Sequence, residues 1–231
     1  MIDMRYMAAK DKFLKYSYLA LKSHFTRRKE FSDYFKSITT DEDKNLFLKT
    51  ASFYLFLVKR GDWLIKIPGL HKRIDYLTDT YKYIAIFSLI ESLHCEQFIE
   101  FYEYLVRKKS NVTFPIKNKE ELNGYFRQYK SEFGAVQQSM RFFKSLADKY
   151  QSTILKKLEI ADSKATIDDL SKYLYHVRSQ FVHEAKLIVN MSGVATFSKH
   201  GGKYVISTLS LEDLMFFFEK GLIAHFNSRQ S

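Results

Sequence analysis

Arg178 and His183 are the residues of this sequence best suited to chemistry. They lie five positions apart in the stretch Leu174-Tyr-His-Val-Arg-Ser-Gln-Phe-Val-His-Glu184, whose apolar spacing predicts a helix. A guanidinium can grip a phosphate through two parallel hydrogen bonds. An imidazole titrates near neutral pH and can move a proton. Together they form a minimal set for breaking an RNA phosphodiester. In that reaction the ribose 2′-hydroxyl is the internal nucleophile, so no cofactor and no metal is expected.

Helical geometry fixes how the two residues can cooperate. They are separated by about 140° around the axis and roughly 7.5 Å along it, so they converge only on something lying in a groove beside the helix. Leu170, Leu174, Val177, Phe181, Ala185 and Ile188 fall in one stripe expected to face the core. Arg178 sits at the margin of that stripe, and His183, Ser179 and His176 lie opposite it. His183 is therefore expected to point to solvent or to a partner.

Supporting roles stay open at this level. The Ser179 hydroxyl either orients the imidazole or binds a phosphate oxygen, or it bonds back to the helix carbonyl at 175. His176 is an accessory histidine or simply an exposed one. Tyr175 shares a face with Val182 between the core stripe and His183. A second subunit packing there would account for both, and Tyr175 could instead stack on a base. Glu91, on the apolar side of an upstream helix, either holds Arg178 in position or reaches out to water.

The elements that must carry this helix can be read along the chain. Residues 3–36 read as helical. Thr40 followed by Asp41, Glu42 and Asp43 starts a helix that runs toward Arg60. Gly61-Asp62 and Pro68-Gly69 mark turns, and a boundary is placed near residue 70. Residues 1–70 are then an N-terminal helical extension and residues 71–231 a helical bundle domain. The strongest helical pattern covers Lys72 to Lys109, with Ile84, Phe87, Ile90, Phe98, Phe101, Tyr102 and Leu105 on its stripe. A connector from Asn111 to Asn118 follows. Lys119 to Glu159 reads as helical with a bend near Gly134. Its stripe is Tyr125, Tyr129, Phe133, Val136, Met140, Phe143 and Leu146. Thr166 caps the helix of the Arg–His pair. Segments 194–199 and 203–207 around His200-Gly-Gly202 read as a small hairpin, or else as a loose loop. Ser210 caps a last helix from Leu211 to Phe226. The expected class is all-α, a helical bundle with a small β-hairpin before the last helix.

Composition limits the partners. The formal net charge of +11 over 231 residues favours an anionic partner, nucleic acid first and an acidic membrane surface second. The basic clusters Arg27-Arg28-Lys29, His71-Lys72-Arg73 and Arg107-Lys108-Lys109 either guide RNA or are solvated helix ends. Cys95 is the single cysteine, which excludes an internal disulfide framework and reads as a packed thiol. The histidines show no metal-ligand spacing, and no phosphate-binding glycine loop or nucleophile elbow is present. Charges interrupt the first residues and no apolar run is long enough to span a bilayer. A cytoplasmic protein with no membrane association is expected, in which the sequons at Asn111 and Asn190 carry no sugar.

The pattern Leu-Tyr-x-Val-Arg-Ser-x-x-Val-His resembles the hallmark of the HEPN superfamily, in its Apea-like branch. The stretch Tyr81-Lys-Tyr-Ile-Ala-Ile-Phe-Ser-Leu-Ile-Glu-Ser-Leu93 resembles the first long helix of such domains. The likeness covers roughly residues 75–226. Ala185 stands where some members have an aromatic, and Glu184 where relatives often have glycine. The resemblance implies a helical bundle that forms a homodimer, with the Arg–His helices of two copies meeting across a cleft. It also implies a metal-independent endoribonuclease of antiviral defence, abortive infection or a toxin–antitoxin system, with RNA as substrate and an antitoxin or regulatory protein as partner. Other members have lost catalysis and only bind RNA or proteins, and that is the competing reading. A helical scaffold unrelated to this superfamily is a third.

Overall fold

A computed structural model of the chain describes residues 4–63, 76–93, 99–108, 116–161, 163–188 and 191–227. The fold is mostly helical, as the sequence predicts, with one small antiparallel sheet among the described residues. The helices are α1 (Arg5–Ala8), α2 (Lys10–Leu21), α3 (Arg28–Ser37), α4 (Asp41–Tyr54), α5 (Tyr76–Ser92), α6 (Phe101–Glu103), α7 (Lys119–Phe133), α8 (Ala135–Lys144), α9 (Asp148–Leu155), α10 (Ile167–Glu184) and α11 (Leu211–Asn227). The strands are β1 (Leu158–Ile160), β2 (Thr196–His200) and β3 (Lys203–Ser207), in the order β1-β3-β2. The boundary placed near residue 70, the Pro68-Gly69 turn, the His71-Lys72-Arg73 cluster, Cys95, Phe98, Lys109 and both sequon asparagines lie outside the described residues.

Side chains set the helix starts. Thr40 Oγ1 accepts from the Asp43 amide at 3.0 Å. Thr166 and Asp169 form a reciprocal capping box at the start of α10. Ser210 and Asp213 do the same for α11, with bonds of 2.9 and 3.0 Å. Each arrangement satisfies amides that the first turn leaves without helical partners. The hairpin turns on Gly201 and Gly202, whose φ values of 57° and 82° suit a two-residue turn between twisted strands.

Four expectations about these elements are corrected. The first helical stretch is divided, because α2 closes in a tight 3₁₀ turn at Lys22–His24 and Phe25 is extended. That break turns the Phe25 ring toward Phe31 and Tyr34, at 5.3 and 5.5 Å between centroids. Among the described residues the helix expected from Lys72 to Lys109 is interrupted. α5 ends at Ser92, and the chain is helical again from Phe101, closing in a π-turn at Tyr104–Lys108. Phe101 and Tyr104 pack on Tyr129 of α7 at 5.3 and 5.6 Å, an aromatic cluster apart from the main core, while Tyr102 is 73% exposed. The stretch from Lys119 to Glu159 bends at Gly134 as expected, breaks again after Lys144, and ends in a strand. Leu158 and Ile160 pair with Ser207 and Val205, so the expected hairpin is the larger part of a three-stranded sheet. Finally, α10 stops at Glu184. Ala185 takes a left-handed φ of 53° and is exposed, so the core stripe on the helix ends one turn early.

The core is one cluster that draws on both ends of the chain. Phe47 meets Phe226 at 5.4 Å and Tyr54 meets Phe218 at 4.8 Å. At its centre the buried Glu219 carboxylate of α11 accepts from Tyr54 Oη at 2.7 Å and Ser23 Oγ at 3.3 Å. It pairs with Lys59 Nζ at 2.8 Å and with His24 Nε2. Burial pushes this carboxyl up. The bonds from His24, Lys59 and Tyr54 outweigh that cost and hold it below the ordinary glutamate range.

A buried carboxylate stripped of its lysine keeps only part of its compensation. Lys59→Met is therefore expected to cost about 3–5 kcal/mol in denaturant unfolding. Because the native carboxyl titrates low, wild-type stability should fall as pH drops through the window below the ordinary glutamate range. Glu219→Gln should flatten that fall; equal acid slopes in the two proteins would contradict this reading of the cluster.

Candidate functional site

α10 carries the pair, and α5 decides what Arg178 can do. The buried Tyr83 Oη donates to the Leu174 carbonyl at 2.6 Å, fastening α5 to the middle of α10. Beyond the end of α10, the Ile188 amide donates to the buried Thr80 Oγ1 at 3.0 Å. Leu170, Leu174 and Val177 are buried on the same face, and Phe181 is half-buried. A helix fixed at this rotation has no freedom to turn Arg178 fully outward.

Arg178 lies at the margin of the core stripe with 18% of its side chain exposed. Its Nη2 stands 3.5 Å from Glu91 Oε2, and its Nη1 stands 3.5 Å from Tyr175 Oη. The guanidinium also lies over the Tyr175 ring, 5.4 Å from its centroid. Three sequence candidates, Arg178, Glu91 and Tyr175, thus meet in one place. Both polar contacts are at the outer limit of hydrogen bonding. The guanidinium is oriented by them, and its buried Nε has no hydrogen-bond partner among the described residues. Burial pushes the Glu91 carboxyl up, and the Arg178 charge only partly offsets this.

His183 is exposed one residue before the end of α10, as the helical geometry requires. Among the described residues none hydrogen-bonds its ring. The neighbouring Glu184 carboxylate is held below its ordinary range first by a hydrogen bond from Lys186, with His176 and His183 adding to the effect. Ser179 is half-buried and bonds neither to the Tyr175 carbonyl nor to His183. Val182 is 48% exposed beside them.

His176 faces the hairpin. Its ring lies 4.8 Å from that of His200, which also meets Tyr173 at 6.4 Å. Burial, then the His176 and Lys172 charges, hold the His200 imidazole below its ordinary value. In sequence His200 reads only as the edge of a turn. Nothing local distinguishes it, because its neighbour comes from α10. The Glu219 cluster likewise escapes sequence reasoning. Its one signal is an acid set among Phe217, Phe218 and Leu222 on an apolar helix. His24 and Lys59 give none.

Among the described residues no three histidine, cysteine or carboxylate side chains gather in a way that could hold a metal ion. No helix of the described residues is long and apolar enough to cross a membrane. No protein-family model matches the chain, and neither a curated protein nor a solved structure does.

Two outcomes follow from this geometry. Replacing Ala185 by glycine removes the left-handed strain, less the extra freedom glycine gives the unfolded chain, and should raise stability by up to about 1 kcal/mol in thermal unfolding. Because Glu91 titrates high, its ionisation works against the fold. Stability should fall as pH rises from the ordinary glutamate range through the raised value, and Glu91→Gln should remove that slope. Matching pH profiles of wild type and Glu91→Gln would contradict it.

Proposed function

We propose that this protein is an endoribonuclease that cleaves RNA by attack of the ribose 2′-hydroxyl on the adjacent phosphate. The observation that carries the reading is Arg178, pinned between Glu91 and Tyr175 at the edge of the core, with an exposed His183 five residues further along the same helix. The chemistry needs a group to take the 2′-proton, a group to protonate the departing 5′-oxygen and a cation on the phosphate. A pre-oriented guanidinium meets the last need without reorganising during the reaction. One helix supplies one exposed histidine next to it. Two copies of α10 facing each other across a cleft supply two, so the active unit is a homodimer, with Val182 on the contact face. The resemblance of Leu174–His183 to the HEPN hallmark supports the same reading. It also sets the reaction in defence or a toxin–antitoxin pairing, with a regulatory protein as further partner.

The reaction written this way releases a 2′,3′-cyclic or 3′-phosphate end and a 5′-hydroxyl end, and it runs in excess chelator. His183→Ala is expected to lower the rate by about 10²–10⁴, and Arg178→Ala to lower it comparably, with folding unchanged by circular dichroism. End-group analysis of a labelled single-stranded RNA checks this. RNA bound but left intact by the wild type would favour the non-catalytic module. Cleavage that persists in His183→Ala would remove the proposed proton carrier.

A further inference from the structure

A groove opens where α7 meets α8, and its far wall is Tyr175 of α10. It encloses about 430 Å³ and is lined by Arg127, Lys130, Ser131, Gln137 and Tyr175. That volume lies within the range of about 300–1,000 Å³ typical of sites for small organic groups. The backbone builds it: Gly134 is extended between the two helices, and a Cβ there would come within 2.4 Å of the Lys130 carbonyl oxygen. The kink therefore depends on glycine, and it places the last turns of α7 beside the first turn of α8.

The groove is electrically one-sided. Among the described residues no carboxylate lines it, and no carboxylate pairs with Arg127 or Lys130. Glu132, the acid nearest in sequence, directs Oε1 to Tyr104 Oη at 3.5 Å. Arg127 Nε donates only to the Asn123 carbonyl of its own helix, and Lys130 Nζ lies 4.4 Å from the Phe126 ring centroid. Both side chains are exposed and keep donors for an incoming anion. Tyr175 joins this groove to the candidate site, because its ring also carries the Arg178 guanidinium.

We propose that this groove is the track along which single-stranded RNA reaches Arg178. Arg127 and Lys130 hold backbone phosphates beside the one that Arg178 holds, and the Tyr175 ring carries a base. A flexible single strand fits the combination of spaced cations and one aromatic wall. A duplex, with its bases paired and stacked inside, offers no base to that wall. The inference rests on the RNA reading above and names the surface that reading lacks.

The test is binding of a short fluorescent single-stranded RNA to the full chain over a series of salt concentrations. Arg127→Gln combined with Lys130→Gln should weaken binding at low salt by about tenfold or more. It should also lower the slope of log affinity against log salt by roughly 1.4, or about 0.7 for each phosphate no longer neutralised. Tyr175→Leu should weaken binding by about tenfold, and Tyr175→Phe, which keeps the ring, should lose much less. Wild-type affinity and slope in the double variant would overturn the proposal, as would a wild type that binds no RNA. The two readings fail separately. Groove-dependent binding without cleavage sinks the nuclease and leaves the track. Cleavage that is indifferent to Arg127 and Lys130 sinks the track and leaves the nuclease.

Discussion

The half-buried pairing of Arg178 with Glu91 is the constraint around which the candidate site is arranged. A guanidinium at the edge of an apolar core needs a counter-charge or an aromatic face, and here it has both. The arrangement is costly for the acid, whose carboxyl burial pushes upward. It is held because α5 is fastened to α10 through Tyr83 and to the segment after α10 through Thr80, which sets Glu91 beside Arg178. The result is a cation whose direction is determined before any ligand arrives. His183 is the opposite case, exposed near the end of the helix and without an orienting hydrogen bond among the described residues. One partner of the pair is pre-organised and the other is not; the proposed reaction draws on a second copy because one helix carries one exposed histidine and the chemistry needs two proton-transferring groups.

The same logic operates at the centre of the core. Glu219 is buried more deeply than Glu91, yet its carboxyl is held low, because Tyr54, Lys59 and His24 all reach it. One acid is fully compensated and fastens the N-terminal helices to α11. The other is only partly compensated and faces Arg178. Depth alone does not set the direction in which these two carboxyls shift; the number of hydrogen bonds each receives does.

What can be read from the sequence is local. The caps at Thr40, Thr166 and Ser210, the bend at Gly134 and the Gly201-Gly202 turn depend on residues a few positions apart, and each has the expected place. The wheel of α10 also places Arg178 at the margin and His183 outside. What cannot be read depends on distant partners. The period of Phe101 matches a continuation of α5, yet its ring contacts α7. Leu158 looks like the end of a helix until β3 is present to pair with it. Ala185 gives no sign that it will adopt a left-handed backbone. Glu91 can be named as a partner of Arg178 but not chosen over its alternatives, since the choice is made by how α5 crosses α10.

The proposed composite cleft, in which two copies of α10 share one RNA strand, is tested most directly by subunit mixing. Chain carrying both Arg178→Ala and His183→Ala is added in increasing proportion to wild type, the subunits are allowed to exchange, and RNA cleavage per wild-type subunit is measured. If each site draws on both copies, that specific activity falls steadily as inactive copies replace active partners. A specific activity that stays constant across the whole series, with exchange verified, would mean that each copy works alone and would contradict the account.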